Sequence, residues 1–233
     1  GISEVEVFSR LNAAIISTGD EVYSVNQLIQ KGQVHDINGS LLNISLNQLN
    51  IHVCQKVLVQ DDYEKLSNLI TDLVQTMDIV FVSGGSSQGE KDYTEKIFES
   101  LGENIVWSHG LAVKPGKPTI LGSYHSCLLI GLPGHPVSAF AIFHRVFKTS
   151  FLSAYKQKID KVYAKLDTNV IASQGKETLV YCRVYQVDNE VCAKIIYTKS
   201  GLISTLKEAN AYCVVPGNLE GYQKGEIVEV ILL

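Results

Sequence analysis

Residues 83 to 93, SGGSSQGEKDY, follow the apolar run MDIVFV and set Gly84, Gly85, Ser86, Ser87 and Gly89 beside two carboxylates, Glu90 and Asp92. Glycines let backbone N–H groups face outward at close range, and a following helix adds unpaired N–H groups and the positive end of its dipole. Such a turn holds an anion without a cationic side chain, and Ser86 and Ser87 add hydroxyl donors. Two acids beside a phosphate would repel it. A divalent cation removes the conflict, because Mg2+ binds through one or two carboxylates together with substrate phosphate oxygens. On that reading Asp92 and Glu90 are the metal ligands. The competing structural reading is that both acids only favour a helix start, an effect of roughly 0.3–1 kcal/mol.

Three further turns adjoin apolar runs: STGDE, with Thr18, Gly19, Asp20 and Glu21; KPGKP, with Lys114, Pro115, Gly116, Lys117 and Pro118; and GLPGHP, with Gly134, His135 and Pro136. In KPGKP two lysines stand three apart on backbone stiffened by proline, so little entropy is lost when an anion is gripped. GLPGHP reads as a tight turn opening a helix, a second anion cradle with Ser138 in its first turn. His135 is expected there as a turn residue in reach of the ligand, not as the catalyst.

These turns need elements to hold them. AAIIS (13–17) and DIVFV (78–82) are continuously apolar, as strands of a sheet covered on both faces must be, and IHVCQKVLV is a third strand candidate. The spacing of Leu66, Leu69, Ile70, Leu73, Val74 and Met77 predicts a helix over 61–77 with Asp61 as its N-cap and Glu64 three residues on. Further helices are expected from Tyr93 to Leu101 and from Pro136 through VSAFAIFHRVFKTSFLSAY. The alternation of strands and helices predicts an α/β domain with a mainly parallel sheet in three layers, in which turns leaving the carboxyl ends of strands line the ligand-binding edge. Near residue 156 the text turns polar and then strand-like. A hairpin about Asp188 and Asn189, a short helix in GLISTLKEA and a closing strand in EIVEVILL predict a small β domain. The division expected is 1–156 and 157–233.

Composition narrows the classes. The 233 residues carry a net charge of −4 with basic residues scattered singly, so no electrostatic footprint for DNA or RNA is present. No apolar run approaches the ~18 residues of a membrane span, and GISEVEVFSR has no basic n-region leading into an apolar stretch. Five cysteines without CxxC spacing fit small hydrophobes in a reducing, cytoplasmic setting. The absence of methionine at Gly1 points to an excised or processed piece.

Taken in order, STGDE, GQVHDINGSLL, SGGSSQGEKDY, LAVKPGKP and GLPGHPVSAF resemble the molybdopterin molybdenumtransferases, the MoeA-type enzymes that include the E domain of gephyrin. VYCRV, LISTL and ANAYCVVP resemble that family's C-terminal β-barrel domain, so the likeness runs through the whole chain. The resemblance implies a MogA-like domain that takes adenylylated molybdopterin and molybdate, releases AMP in a Mg2+-assisted step and leaves molybdenum on the dithiolene. It further implies catalytic roles for Asp20, Glu21, Asp62 and Asp92, with Ser87 beside them, and places Lys114, Lys117, Pro118 and Ser138 in anion-binding turns. Arg183 and Ser200 match a molybdate-contacting pair, which suits a tetrahedral dianion. A cytoplasmic homodimer acting on small molecules is expected.

Two positions depart from the pattern: His135 stands where the family usually has Asn, and Gly110 where some members are basic. Family members also carry N-terminal domains that complete the active site across the dimer, and this chain begins where the pterin-binding domain would. A non-catalytic binding or scaffolding module is therefore the alternative. A single-domain MogA-like adenylyltransferase is a third reading, against which the β tail argues.

Overall fold

The apolar runs near residues 15 and 80 form neighbouring strands in a computed structural model that describes residues 1–84, 93–197, 199 and 201–233. In chain order the elements begin with β1 (Asn12–Thr18), the short β2 (Val22–Tyr23) and β3 (Val34–His35), α1 (Asn38–Gln48), β4 (His52–Val59), α2 (Tyr63–Leu73) and β5 (Ile79–Ser83). They continue with α3 (Tyr93–Ser100), β6 (Val106–His109), β7 (Val113–Lys114), β8 (Ile120–Tyr124), β9 (Cys127–Leu132), α4 (Pro136–Ile142) and α5 (Thr149–Ala154). The last part holds β10 (Lys161–Leu166), β11 (Val170–Ile171), β12 (Glu177–Val187), β13 (Glu190–Ile195), β14 (Ala211–Val215), β15 (Gly221–Tyr222) and β16 (Ile227–Leu232). Contacts group the chain into two units, residues 1–107 with 120–131, and residues 108–119 with 132–233.

The first unit is a three-layer α/β structure about a sheet of order β4-β1-β5-β9-β8-β6. The sheet is mixed: β1 runs parallel to both β4 and β5, whereas β8 and β9 form an antiparallel pair. Every residue of β5, and all but the first of β1, is buried, which is why their text is apolar on both strand faces. β4 is the edge strand and carries exposed Lys56, a charge that blunts an open edge. Leu66, Ile70 and Leu73 of α2 and Ile97 and Phe98 of α3 pack with Ala14, Ile16, Val80 and Val82.

Two local expectations are corrected. The N-cap of α2 is Asp62, not Asp61: its side chain accepts the Lys65 N–H at 3.1 Å. The helix also stops at Leu73 instead of running to Met77. Helix α1 went unforeseen because its buried positions are Asn38, Gly39, Leu42, Ser45 and Leu46, and polar or small residues on the buried face hide the apolar period.

In the second unit β10, β16, β14, β12 and β13 close into a five-strand barrel, β13 pairing with both β12 and β10. Asp188 and Asn189 join β12 to β13 with φ of 46° and 66°, the left-handed pair a two-residue hairpin demands. The helical run after Pro136 is interrupted by π-helical residues 143–148. GLISTLKEA forms a 3-10 turn over Ile203–Glu208. Cys127, Cys182 and Cys213 are buried, and burial pushes their thiols up to about 11, 12 and 11, so they are unreactive core groups. Cys54, by contrast, is exposed on β4.

Candidate functional site

In the first unit the parallel strands β1 and β5 end side by side at Ser17 and Ser83, which are register partners. Both hydroxyls are tied to the start of α1. Ser17 Oγ donates to Asp36 Oδ1 at 2.8 Å, the same oxygen accepts the Gly39 N–H at 2.8 Å, and Asn38 Nδ2 donates to Ser83 Oγ at 2.7 Å. All four polar residues are buried. A Cβ on Gly39 would collide with the Asp36 carboxylate, so glycine is required where the helix start closes on the strand ends. The roles of these DING side chains are not evident from the sequence; an Asp three residues before a Gly, able to take that N–H, is the signal it carries.

Just above this buried layer lie the predicted residues Thr18, Gly19, Asp20, Asp62 and Gly84. Thr18 Oγ1 donates to Asp61 Oδ1 at 2.7 Å, and the Asp61 N–H donates to Asp20 Oδ1 at 3.2 Å. Thus Asp61, expected as the helix cap, joins Thr18 and Asp20. Asp62, expected at the site, caps α2, where the Lys65 amide and ammonium hold its carboxyl below the usual range. Gly84 has φ 111°, and a Cβ there would strike the Thr18 carbonyl oxygen, so the two loops touch backbone to backbone. Glu21 lies in the next turn, where its carbonyl accepts the Val34 N–H. The expected cradle and metal residues Gly85, Ser86, Ser87, Gly89, Glu90 and Asp92, and Ser200, lie outside the described residues.

The second unit gathers the other predicted groups. KPGKP is a fixed turn: the Leu111 N–H donates to the Lys117 carbonyl at 2.8 Å, and Thr119 Oγ1 to the Gly116 carbonyl at 2.7 Å. Gly116 has φ 115° and sits so close to Ile142 of α4 that a side chain would collide with it. Pro115 follows a cis peptide bond. Lys114 Nζ donates to Ser173 Oγ at 2.9 Å. At the start of α4 the His135 carbonyl accepts the Ser138 and Ala139 N–H groups, Ser138 is buried, and the His135 ring neighbours Gly201. Gly134 is exposed and Pro136 half-buried there, as is Pro118 in its own turn.

Val137 and Ala141 of α4 pack with Leu179 and Tyr181 of β12 and with Leu206 of the 3-10 turn. The same strand then carries Arg183, whose Nη1 lies 2.6 Å from Glu208 Oε2. A bidentate pair at 2.6 and 2.8 Å joins Arg145 to Glu177 at the first residue of β12, and this hydrogen bonding raises the guanidinium's already high pKa. Among the described residues no cluster of three or more His, Cys, Asp or Glu is placed to hold a metal, and no helix is long and apolar enough to cross a membrane.

Residues 14–152 match a family described as "Probable molybdopterin binding domain", and residues 163–233 match "MoeA C-terminal region (domain IV)". A protein of Methanocaldococcus jannaschii named for molybdopterin biosynthesis is 32% identical over the whole of this chain and 58% of its own length. A molybdopterin molybdenumtransferase of Haemophilus influenzae is 33% identical over 68% of this chain and 39% of its own. Among solved structures, a MoeA protein of molybdopterin biosynthesis from Pyrococcus horikoshii superposes with a TM-score of 0.81 at 32% identity, covering 97% of this chain and 55% of that one. The chain therefore spans little more than half the length of relatives that match it throughout.

Proposed function

Because the chain belongs to the MoeA-type molybdopterin molybdenumtransferase family, we propose that it is the pterin- and molybdate-binding portion of an enzyme of molybdenum cofactor assembly. Its substrates are adenylylated molybdopterin and molybdate, and its products are AMP and the molybdenum-loaded pterin. The observation that carries this reading is the Thr18–Asp61–Asp20 cluster set over the carboxyl ends of parallel strands, beside a glycine that must lack a side chain. That is where ligands bind in open α/β sheets.

The chain's own groups divide the work. Gly84, without a side chain, lets the end of β5 meet the Thr18 backbone, and the Asp36 layer beneath keeps the strand ends from moving apart. Thr18 fixes the Asp61 carboxylate, so both acids are oriented before substrate arrives, and pre-organised charge costs no rearrangement during reaction. In the second unit Lys114 and Lys117 stand on a rigid turn as cations suited to an anion, and Arg183 offers a planar fork to an oxyanion. Mg2+ fits the donor chemistry, since Asp20 and Asp61 are hard oxygen ligands close together; when bound it would offset the charge of the pyrophosphate between carboxylates. Asp92 and Glu90 remain proposed ligands on sequence grounds. A cytoplasmic homodimer is part of the same proposal, the free thiols favouring a reducing compartment.

His135, standing where the family motif usually has Asn, favours a second reading, binding without turnover. To separate them, the chain is incubated with adenylylated molybdopterin, molybdate and Mg2+, and AMP is quantified by chromatography, with and without the N-terminal half of the Haemophilus relative. Molybdate-dependent AMP in either arm is expected. Pterin binding without AMP in both arms would leave the binding module.

A further inference from the structure

Arg183 on β12 stands directly opposite Lys194 on β13 in the antiparallel register, so the two side chains leave the same face of the hairpin. Both residues are exposed. Like charges facing each other across a ladder weaken it; the Asp167 carboxylate next to Lys194 is taken by the Ile195 N–H at 3.4 Å, and one counter-charge is ion-paired to the two. That charge is Glu208, 2.6 Å from Arg183 Nη1. The other carboxylate on this part of the hairpin, Glu190, is engaged by Lys165 at 3.1 Å. Among the described residues Lys194 forms no ion pair.

The backbone under this cation pair is held firmly. The β12–β14 ladder ends at Cys182 and Ala211, and the Asn210 side chain extends it: Oδ1 accepts the Val184 N–H at 2.7 Å while Nδ2 donates to the Val184 carbonyl at 3.0 Å. Arg183 is thus fixed between two bonded neighbours, with Lys194 held opposite by the β13 ladder. Only the side chains are free to respond to a ligand, and the Arg183–Glu208 pair is open to water, with side-chain exposures of 55% and 62%. Such pairs exchange easily.

We infer that Arg183 and Lys194 form a two-cation cradle for one tetrahedral oxyanion dianion, with Glu208 as the built-in competitor that the ligand displaces from Arg183. This rests on the reading above, in which Arg183 meets molybdate, and adds Lys194 and Glu208, which that reading does not use. A dianion answers both cations, whereas Glu208 answers one. A monocarboxylate such as acetate gains nothing over Glu208 and is rejected. Arg183 supplies the directed fork and Lys194 a point charge.

Calorimetric titration of the full chain with sodium molybdate and with sodium acetate tests the cradle in wild type, Lys194→Met and Glu208→Gln; both changes fall on exposed side chains, and circular dichroism verifies the fold. Lys194→Met is expected to bind molybdate about tenfold more weakly, the loss of one charged contact. Glu208→Gln is expected to bind it about threefold more tightly, the release of one exposed ion pair. Unchanged affinity in Lys194→Met, no gain in Glu208→Gln, acetate binding as tight as molybdate, or no molybdate binding by wild type each overturns the cradle. The AMP assay keeps the two ideas apart. Intact AMP release with unaltered Lys194→Met affinity sinks the cradle alone, and the two expected shifts without AMP release sink the reaction alone.

Discussion

Asp36 and Glu208 are both carboxylates beside proposed ligand groups, yet they live under opposite conditions. Asp36 is buried beneath the strand ends and accepts two hydrogen bonds through one oxygen, from Ser17 and from the Gly39 backbone. Glu208 is open to water and answers a single guanidinium. Removing a partner from a buried charged group leaves a desolvated donor behind, whereas an exposed pair is replaced by water at little cost. The first unit therefore spends its acid on keeping backbone in place, and the second keeps its acid exchangeable.

The sharpest break of that contrast is Gly84→Ala, which forces φ 111° on an L-residue and drives a Cβ into the Thr18 carbonyl. It should cost about 3–4 kcal/mol, read by urea denaturation. Next comes Asp36→Ala, which orphans Ser17 and the Gly39 amide and should cost about 3 kcal/mol in the same measurement. A loss below about 1 kcal/mol would deny that the buried layer supports the strand ends.

His144 lets the second unit be probed without touching its exposed charges. Burial, with a smaller contribution from Lys148, pushes its pKa down to about 3 from 6.5, so the folded chain keeps the ring neutral against Phe140. Below pH 6.5 the unfolded chain takes up a proton that the folded chain refuses. Stability should fall as pH drops from 6.5 towards 3, by about 1.4 kcal/mol per unit, or about 2 kcal/mol by pH 5. His144→Phe should remove that slope in denaturation curves taken at pH 7 and pH 5. Smallest of all, Glu208→Gln should change stability by less than about 0.5 kcal/mol; a cost near that of Asp36→Ala would erase the distinction between the two carboxylates.

What could be read from the sequence follows the same division. β1 and β5 were legible because burial on both faces leaves no choice but apolar residues, and the hairpin because Asp188 and Asn189 are among the few residues that accept positive φ. Helix α1 was not, since Asn38, Gly39 and Ser45 fill its buried face for hydrogen bonding and close approach. The exchange of roles between Asp61 and Asp62 was equally hidden. Which of two adjacent acids caps the helix depends on φ and ψ at one residue, and nothing in QDDYEK distinguishes them. Pairing of Arg183 with Lys194 required the register, and opposition across strands has no one-dimensional signature.

Ring closure has a bearing on what can attach to the last domain. With β13 bonded to both β12 and β10, the circuit of five strands leaves an approaching extended peptide little open edge to zip onto, its shortest seam being the two residue pairs between β10 and β13. Whatever docks on the outside of that circuit must be chosen by its side chains.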